Sequence, residues 1–367
     1  MLNTHKMTVE KNIIKSNFID TFRSSILHWY DRHHRTLPWR APIGTKPNPY
    51  HVWLSEIMLQ QTTVPTVIPY FLKFIGLWPS VKDMAAADQE DIMKEWAGLG
   101  YYARARNLHK CAQTVVNEYS GVFPNNYEAL KQLPGIGDYT ASAITSIAFD
   151  LPSTVVDGNV ERIMSRVFKI ETPFPEGKKQ TKKFAKVLSE NRDDRPSDYA
   201  QALMDLGSMI CTPTSPKCTE CPVLAQCNAY KAGKSALYPI KAPKKERPKR
   251  YGAVYWITDR QGNALFEKRP EKGLLGGMIA LPTSSWETEP KTPPTFKKFK
   301  LKPTKQHIKH VFTHFELRLD IYIAECSDLL SLPLQSSYTI YPIKEGVQLG
   351  LPTVFKKAYL LAKDLTL

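Results

Sequence analysis

The stretch Leu133-Pro-Gly-Ile-Gly-Asp138, followed by Tyr-Thr-Ala-Ser-Ala-Ile144, places a sharp turn between two segments that have helical character. Residues 125–133 and 139–149 are the two helical segments, and the Pro-Gly-Ile-Gly turn separates them. The glycines permit a positive φ and a close backbone approach, and the N–H groups that start the second helix favour an anion. Pro-Gly turns also end many helices without binding anything. The turn by itself therefore leaves a phosphate site and a plain helix terminator open.

Short amphipathic helices are predicted on both sides of this turn, from about Phe18 to Tyr230. Asp157 stands where an N-cap would, ahead of apolar residues spaced i, i+3, i+4, i+7. These residues are Val160, Ile163, Met164 and Val167. A further helix is expected over Tyr199–Ile210. The pattern indicates an all-α domain built around the turn.

Beyond Tyr230 the composition changes. Residues 231–250 hold eight Lys or Arg, one Glu and three Pro, which predicts a basic linker. Strands are expected over Tyr251–Asp259 and Asn263–Lys268, around an Arg-Gln-Gly turn. Val311–Cys326 is β-rich, and the tail Val354–Leu367 is helical. We therefore predict an N-terminal extension (1–17), a mainly α domain (18–230), the linker (231–250) and a smaller α+β domain (251–367).

Charge and composition limit the class of protein. The chain of 367 residues has 50 Lys and Arg against 35 Asp and Glu, a net charge of +15, and 42% hydrophobic residues. The composition supports packed cores, and the excess of cations favours a nucleic-acid partner over a merely basic protein. No run of eighteen apolar residues predicts a membrane span, and the N-terminus has no signal-like apolar core. A cytoplasmic protein that does not bind membranes is therefore predicted.

Four of the six cysteines lie within seventeen positions and are separated by six, two and five residues. They are Cys211, Cys218, Cys221 and Cys227. A reducing compartment disfavours disulfides, so a metal site is the better interpretation of the loop 211–227. Four thiolates suit zinc as well as an iron–sulfur cluster. Ordinary zinc ribbons, however, keep two CxxC pairs well apart.

One glutamate has surroundings that would suit acid catalysis. If Val52–Leu59 is helical, Glu56 has the apolar neighbours Val52, Trp53 and Leu59 on its own face. An apolar environment raises the pKa of a carboxyl group and keeps it protonated as a general acid. Most helical glutamates are solvated instead, so the residues alone leave both possibilities open.

Together these segments resemble the MutY-type adenine DNA glycosylases, which are helix-hairpin-helix enzymes of the endonuclease III-like superfamily. The resemblance rests on the turn Leu133–Gly137, on the segment Leu54–Thr62 (LSEIMLQQT), on Val156–Val160 and on the cysteine spacing. It is strong over about 18–230 and looser over the C-terminal part. In that family the cysteine loop holds one 4Fe–4S cluster, which the resemblance therefore implies here.

The resemblance implies roles for the catalytic residues. Glu56 matches the residue that protonates adenine N7, and Asp157 matches the residue that stabilises the oxocarbenium ion. Asn159 and Tyr139 match positions that help hold the aspartate and the sugar region. Bifunctional relatives have a lysine where Tyr139 stands, whose amine attacks the sugar. A tyrosine has no such amine, so a glycosylase without a dedicated lyase step is predicted, although Tyr139 would fit a packing role as well.

Asp157 would fit an ordinary N-cap as well as the catalytic role. The resemblance also implies contacts with DNA. Gly135 and Gly137 would hold the phosphate backbone, and Gln61 would wedge into the base stack. Tyr101 would intercalate beside the oxidised guanine, whereas its neighbour Tyr102 is expected in the core. The adenine pocket would contain Arg35, Trp39 and Gln201, and Trp39 would equally suit a buried anchor.

Two C-terminal segments resemble the Nudix-related (MutT-related) domain of the family. Lys268-Arg-Pro and Gly273–Met278 resemble its Arg-Pro…Gly-Leu-Trp-Gly-Gly segment. Phe312-Thr313-His314 resembles the Phe-Ser-His loop that detects 8-oxoguanine, and the Thr313 hydroxyl can still donate a hydrogen bond. A histidine such as His314 is more often structural when taken alone. The Nudix metal motif is absent, so nucleotide hydrolysis is not expected.

The prediction is a monomeric, monofunctional adenine DNA glycosylase of base excision repair. Its substrate would be double-stranded DNA with adenine opposite 8-oxoguanine or guanine. One alternative is a bifunctional endonuclease III-type glycosylase and AP lyase. The other is a non-catalytic iron–sulfur protein that binds DNA, which the presence of both carboxylates argues against.

Overall fold

The computed structural model describes residues 16–42, 44–190, 192–243, 246–290 and 299–365. The predicted N-terminal extension lies almost wholly outside these ranges, as do Lys244 and Lys245 of the predicted linker. The chain divides into two compact units. The first contains Met1–Ala85 and Lys110–Pro243, and the second contains Ala86–His109 and Lys244–Leu367.

The elements up to Pro243 are helical. In chain order they are α1 Ser16–His33, α2 Pro49–Leu59, α3 Val64–Leu77, α4 Val81–Ala86, α5 Gln89–Glu95, α6 Ala103–Tyr119, α7 Tyr127–Gln132, α8 Asp138–Phe149, α9 Gly158–Val167, α10 Lys178–Ser189, α11 Pro196–Met209 and α12 Asn228–Lys231, with short 3-10 turns at Cys218–Glu220, Leu224–Gln226 and Ser235–Leu237. The predicted helices around the Pro-Gly turn are confirmed as α7, α8 and α9.

Local sequence explains how α9 begins and how it packs. The Asp157 carboxylate caps the helix by accepting a hydrogen bond from the Val160 N–H at 2.7 Å. The four apolar residues that the periodicity singled out are all buried. They pack against residues of α1 and α11 in one hydrophobic core. The N-cap prediction for Asp157 is confirmed, and the cap fixes where its carboxylate lies.

The second unit is built on a six-stranded sheet. Its strands are β1 Lys249–Asp259, β2 Asn263–Lys268, β3 Ile279–Ala280, β4 Lys302–Val311, β5 Glu316–Cys326 and β6 Tyr338–Pro342. The strand order is β3-β2-β1-β5-β4, and β6 pairs with β2. β1 and β5 run parallel, in register from Lys249 opposite Glu316 to Asp259 opposite Cys326. Helix α13 (Thr353–Asp364) packs on one face, and Leu329 belongs to the core on the other. The predicted α+β character is confirmed.

One strand escaped the sequence analysis. The predicted β-rich stretch 311–326 is a hairpin turn followed by β5, and β4 precedes that turn. β4 is an edge strand, and Ile308 is its one buried residue. Because an edge strand with both faces largely exposed needs no alternation of apolar residues, its sequence carries little signal.

Part of the predicted linker packs on the first unit. The Phe174 N–H donates to the Ile240 carbonyl at 2.8 Å, and the Ala242 N–H donates to the Phe174 carbonyl at 3.1 Å. Tyr238 is buried in a small core of its own. This stretch is cationic on average, but two of its apolar side chains, Tyr238 and Ile240, pack in the first unit. Among the described residues, no helix is both long and apolar enough to cross a membrane.

Candidate active site

Glu56 lies on the buried side of α2. Its side chain is on a helix whose residues from Val52 to Met58 are almost all buried, and Glu56 itself is 7% exposed. The pKa of Glu56 is raised from 4.5 to about 7, chiefly by burial and in smaller part by the nearby charge of Asp157. A hydrogen bond with the Tyr139 hydroxyl and the charge of Arg40 act in the opposite direction. Glu56 is therefore a carboxyl group that can carry a proton near neutral pH.

The second carboxylate is held rigidly. Asp157 Oδ1 accepts from the Val160 N–H, and Oδ2 accepts from Asn159 Nδ2 at 2.8 Å. Asn159 is in turn held by Arg162, whose Nη2 donates to the amide oxygen at 2.7 Å and to the Gly207 carbonyl at 2.6 Å. Two donors on one carboxylate fix its direction. Asp157 is thus oriented by the N-terminal turn of α9.

Gly207 on α11 keeps Asn159 in place. A Cβ atom built on Gly207 would lie 2.4 Å from the Asn159 Cβ. Contacts that short do not occur between real side chains, so any larger residue would displace Asn159. The close approach of α11 to α9 therefore determines where the Asn159 amide meets Asp157.

Two cavities meet at Glu56. An inner pocket of about 400 Å³ is lined by Arg35, Leu37, Trp39, Arg40, Val52, Ser55, Glu56, Leu59, Val64, Ile147, Gln201 and Met204. An outer cleft of about 1670 Å³ is lined by Glu56 together with Tyr139, Asp157, Asn159 and other residues. The pocket is lined mainly by apolar side chains with a few polar groups, as small-molecule sites are. Glu56 lines both cavities, so its carboxyl group would be near a base bound in the pocket and near a sugar bound in the cleft.

A buried carboxylate ties the wall of the inner pocket together. Asp205 is fully buried and accepts four hydrogen bonds from two arginines. Arg35 donates its N–H at 3.0 Å and its Nε at 2.5 Å, and Arg40 donates Nη1 at 2.7 Å and Nη2 at 2.8 Å. The two guanidinium groups hold the pKa of Asp205 below its usual value even though burial acts against them. The segment from Arg35 to Arg40 is therefore fixed although it is not helical.

Gln201 and Trp39 complete the pocket wall. The Gln201 amide nitrogen donates to the Ser197 carbonyl at 3.3 Å and lies 3.2 Å from its hydroxyl oxygen. The amide oxygen is thus the atom of this side chain that can accept from a bound base. Trp39 is buried and meets the Phe71 ring edge-on at 5.4 Å. It is both a lining residue and a packed anchor.

The Pro-Gly turn presents a helix terminus to the outer cleft. Gly135 has a φ of +77°, which favours glycine, and Ile136 between the two glycines is buried. Gly137 is the N-cap of α8, and both Gly137 and Asp138 line the cleft. The first N–H groups of a twelve-residue helix are therefore exposed where a phosphate could approach.

The four clustered cysteines line one cavity. Among the described residues, no group of three or more His, Cys, Asp or Glu has the arrangement of a metal-ion site. The buried Arg166 donates from Nη1 to the Cys211 sulfur at 3.2 Å and to the Thr212 carbonyl at 2.8 Å. Four thiols with a buried cation beside them fit a metal–sulfur group of net negative charge, because the guanidinium offsets that charge. Arg162 Nε also donates to the Cys211 carbonyl at 2.6 Å, which links the cysteine loop to the residue that holds Asn159.

Comparison with known proteins places this site in a family. The family model described as HhH-GPD superfamily base excision DNA repair protein matches residues 54–190, and a NUDIX domain model matches residues 253–361. An adenine DNA glycosylase of Buchnera aphidicola subsp. Schizaphis graminum is 34% identical over 346 residues, covering 92% of this chain and 98% of that protein. The chain belongs to the adenine DNA glycosylase family. The mouse adenine DNA glycosylase is 44% identical over 218 residues, which are 58% of this chain and 42% of that protein.

A solved structure supports the fold of the helical part. A thermostable thymine-DNA glycosylase matches with a TM-score of 0.51 and 29% identity, covering 58% of this chain and 97% of that chain. The family membership confirms the resemblance seen in the sequence. It also confirms the predicted fold class, a helix-hairpin-helix glycosylase domain followed by a Nudix-like domain.

The structure brings nine of the predicted catalytic and DNA-contacting residues together. Those that line the outer cleft or the inner pocket are Glu56, Asp157, Tyr139, Asn159, Gln61, Gly137, Arg35, Trp39 and Gln201. Gly135 precedes Gly137 in the turn. Gln61 has a φ of +58°, a conformation that is costly for a residue with a side chain.

The predicted lesion-contacting residues lie in the second unit. Tyr101 is 45% exposed, and its hydroxyl oxygen lies 2.5 Å from the Thr313 hydroxyl oxygen. Thr313 and His314 are exposed in the turn between β4 and β5, whereas Phe312 packs against Trp286. Tyr102 is buried, as expected.

Sequence analysis missed three residues that shape the site: Arg40, Asp205 and Arg162. Asp205 offered a signal that was not used. On the helix that contains Gln201 it stands one residue before Leu206 and three after Ala202, on the face that carries the apolar residues. A charged residue on a buried helix face indicates a charged partner.

Proposed function

We propose that this chain hydrolyses the N-glycosidic bond of adenine opposite 8-oxoguanine or guanine in duplex DNA, as a monofunctional glycosylase. Adenine release is the activity of its family. The observation that carries the mechanism is the pairing of a buried carboxyl group at the pocket mouth with a rigid carboxylate in the adjoining cleft. Both belong to one unit of one chain, which supports a monomeric enzyme.

Glu56 acts as the general acid. Cleavage of an N-glycosidic bond is easier when the departing base has been protonated, and a pKa of about 7 gives Glu56 a proton to donate near neutral pH. The Tyr139 hydroxyl, whose own pKa is raised by burial, stays a neutral donor and keeps the carboxyl oriented. After the base leaves, the Glu56 carboxylate is positioned to accept a proton from the attacking water.

Asp157 stabilises the positive charge that develops on the sugar. Two carboxyl groups in different environments solve the same problem in glycoside hydrolases, one as an acid and one as a stabiliser. The hydrogen bonds from Val160 and Asn159 fix the direction of the Asp157 carboxylate, which lines the cleft. Arg162 acts through Asn159 and is a positioning residue.

The cleft offers little support for a lyase step. Among the described residues that line it, Lys178 is the one lysine, and its Nζ pairs with Glu161 Oε2 at 2.9 Å. A Schiff base needs a free amine directed at the sugar, whereas the Lys178 nitrogen is paired with the Glu161 carboxylate. Borohydride should therefore trap little protein on DNA under conditions in which adenine is fully released. Stoichiometric trapping would favour the bifunctional alternative.

The cysteine loop would hold one 4Fe–4S cluster through Cys211, Cys218, Cys221 and Cys227. When bound, the cluster would supply four iron–thiolate bonds that fix a loop with little core of its own. Purified protein should contain about four iron and four sulfide per chain, since each thiolate binds one iron of a cubane. One zinc per chain without sulfide would instead support the zinc alternative.

The turn between β4 and β5 would read the lesion. Thr313 and His314 are exposed at its tip, and Phe312 is anchored by stacking on Trp286 at 5.9 Å. A rigid anchor with polar neighbours suits a loop that tests one base for hydrogen-bonding groups. The Thr313 hydroxyl is the group that would donate to 8-oxoguanine.

A single-turnover assay tests the catalytic assignment. Glu56→Gln and Asp157→Asn should each abolish adenine release from duplexes with adenine opposite 8-oxoguanine, while the affinity for the duplex stays near that of the wild type. Glu128→Gln, at an exposed glutamate of α7, is the matched control and should retain the wild-type rate. Near-normal excision by either active-site variant would remove that residue from the mechanism.

A further inference from the structure

Helix α10 has five lysines and no acidic residue. The lysines are Lys178, Lys179, Lys182, Lys183 and Lys186, and all five side chains are exposed. At 100° per residue they span one continuous face, away from the buried residues Thr181, Ala185 and Leu188, and the buried Ser189 lies beyond the last lysine of that face. We call this face the lysine strip.

The lysine strip is unfavourable for the helix that carries it. Like charges at i and i+4 repel, and three such pairs occur: Lys178 with Lys182, Lys182 with Lys186, and Lys179 with Lys183. The first turn, where the helix dipole favours acidic residues, has two lysines and no acid. Each of these features costs a few tenths of a kcal/mol in an exposed helix, and the ion pairs of Lys178 with Glu161 and of Lys186 with Glu190 offset part of that cost. A sequence that breaks local rules so consistently commonly does so at a functional surface.

The strip begins at the proposed active site. Lys178 lines the outer cleft together with Asp157. Lys182 is close to Asp138 at the start of α8: hydrogen bonds from Lys131 and Tyr127 lower the pKa of Asp138 most, and Lys182 contributes in the same direction. The lysine strip is therefore continuous with the cleft and with the helix terminus that the Pro-Gly turn presents.

We propose that the lysine strip binds the phosphates of duplex DNA beyond the cleft, on one side of the excised base. This inference rests on the proposed function, because the cleft must hold DNA. The lysine strip covers nine residues, from Lys178 to Lys186, and is about 13 Å long. With about 3.4 Å of duplex per base pair, it reaches about four base pairs. Bound phosphates would also neutralise the repulsion within the helix.

Salt dependence tests the proposal directly. Lys179→Gln, Lys182→Gln and Lys186→Gln are combined in one variant, which leaves Lys178 in the cleft intact. Affinity for an undamaged 30-base-pair duplex is measured by fluorescence anisotropy between 50 and 400 mM KCl. Each lost phosphate contact lowers the slope of log affinity against log salt by about 0.9, so the loss of three contacts should lower it by about 2.7 and make binding roughly 500-fold weaker at 0.1 M.

Two control variants separate the strip from general charge. Lys→Arg at the same three positions should keep the wild-type slope. Lys344, Lys356 and Lys357 are exposed lysines of the second unit, and their combined change to Gln removes the same net charge. That variant should leave the slope within a few tenths of wild type. An unchanged slope in the strip variant, or an equal decrease in the control, would overturn the proposal.

Duplex length gives a second measurement. In a Glu56→Gln background, which prevents base release, shortening the DNA by five base pairs on one side of the mispair should weaken binding by the parent protein. The strip variant should not respond to that shortening, and an equal response would contradict the proposal. With Glu56 intact and protein in excess, the control variant with Lys344, Lys356 and Lys357 changed to Gln should release adenine at the wild-type single-turnover rate. Absence of adenine release by the wild type itself would instead refute the proposed function and leave the salt result standing.

Discussion

Replacing the proposed general acid should stabilise the protein, and the gain should grow with pH. The pKa of Glu56 is about 7 in the folded chain, against 4.5 for the ordinary group, and burial is the main cause. Between these two values the unfolded chain has lost the Glu56 proton and the folded chain has kept it. The free energy of unfolding therefore falls as pH rises through this window. Above about pH 7 both states are ionised and the loss is complete.

The size of this effect follows from the two pKa values. A difference of one pKa unit corresponds to about 1.36 kcal/mol, so the wild type loses roughly 3 kcal/mol in all and roughly 2–3 kcal/mol between pH 5 and pH 8. Glu56→Gln removes the ionisable group, so the variant does not undergo this loss in the free energy of unfolding. For a unit of about 200 residues, 1 kcal/mol changes the unfolding midpoint by about 2–4 °C. The midpoint of the variant relative to the wild type should therefore rise by roughly 5–10 °C between pH 5 and pH 8.

Thermal unfolding of the full chain, followed by circular dichroism at pH 5 and pH 8, measures the effect. Only the change in the difference between variant and wild type matters, so effects common to both cancel. Glu176→Gln, at an exposed glutamate before α10, is the control and should show no comparable change. If the Glu56→Gln difference is the same at both pH values, Glu56 is not held protonated by burial, and the argument for its role as an acid fails.

Three further outcomes are expected. The single-turnover rate of adenine release should fall about tenfold per pH unit well above pH 7 as Glu56 ionises. Tyr139→Phe removes a hydrogen bond that lowers the pKa of Glu56, so it should move the inflection of the pH–rate profile to higher pH. A movement to lower pH would contradict the assignment. Gly207→Ala should reduce the rate at least tenfold with little loss of duplex affinity, because the added Cβ meets Asn159 at 2.4 Å; Ser208→Ala next to it is the control. Removing the chain from about Lys241 onward should lower the preference for 8-oxoguanine over guanine more than it lowers adenine release, and equal losses on both substrates would refute the role of the second unit.

The elements that the sequence predicts are those defined by local rules. Helix α9 follows from its N-cap and apolar spacing, and the apolar neighbours of Glu56 on its own helix are enough to indicate that its side chain is buried. The clamp of Asp205 on Arg35 and Arg40 could not be predicted in this way. Asp205 is 165 positions from Arg40 and 170 positions from Arg35 in the sequence. Such a contact depends on how helices pack rather than on local pattern.

Two other features were hidden for different physical reasons. The residues of β4 are mostly exposed, so hydrophobic alternation did not mark the strand. The segment Ala86–His109 groups with the C-terminal unit, although nothing in its sequence separates it from the surrounding helices. The region around Tyr238 was predicted to be a linker because its average composition is cationic, but a few of its apolar side chains pack in the first unit. In each case tertiary contacts, and not local preference, decide the outcome.

The clamp at Asp205 has a consequence for the order in which the protein becomes functional. The wall from Arg35 to Arg40 leaves the ribosome early, and the carboxylate that secures it is translated about 165 residues later. Until α11 has docked, two cations face each other with no anion between them, and the base pocket has no stable floor. A chain that ends before Asp205 would therefore lack the anion that fixes the segment from Arg35 to Arg40, and the wall of the inner pocket would not be held in place.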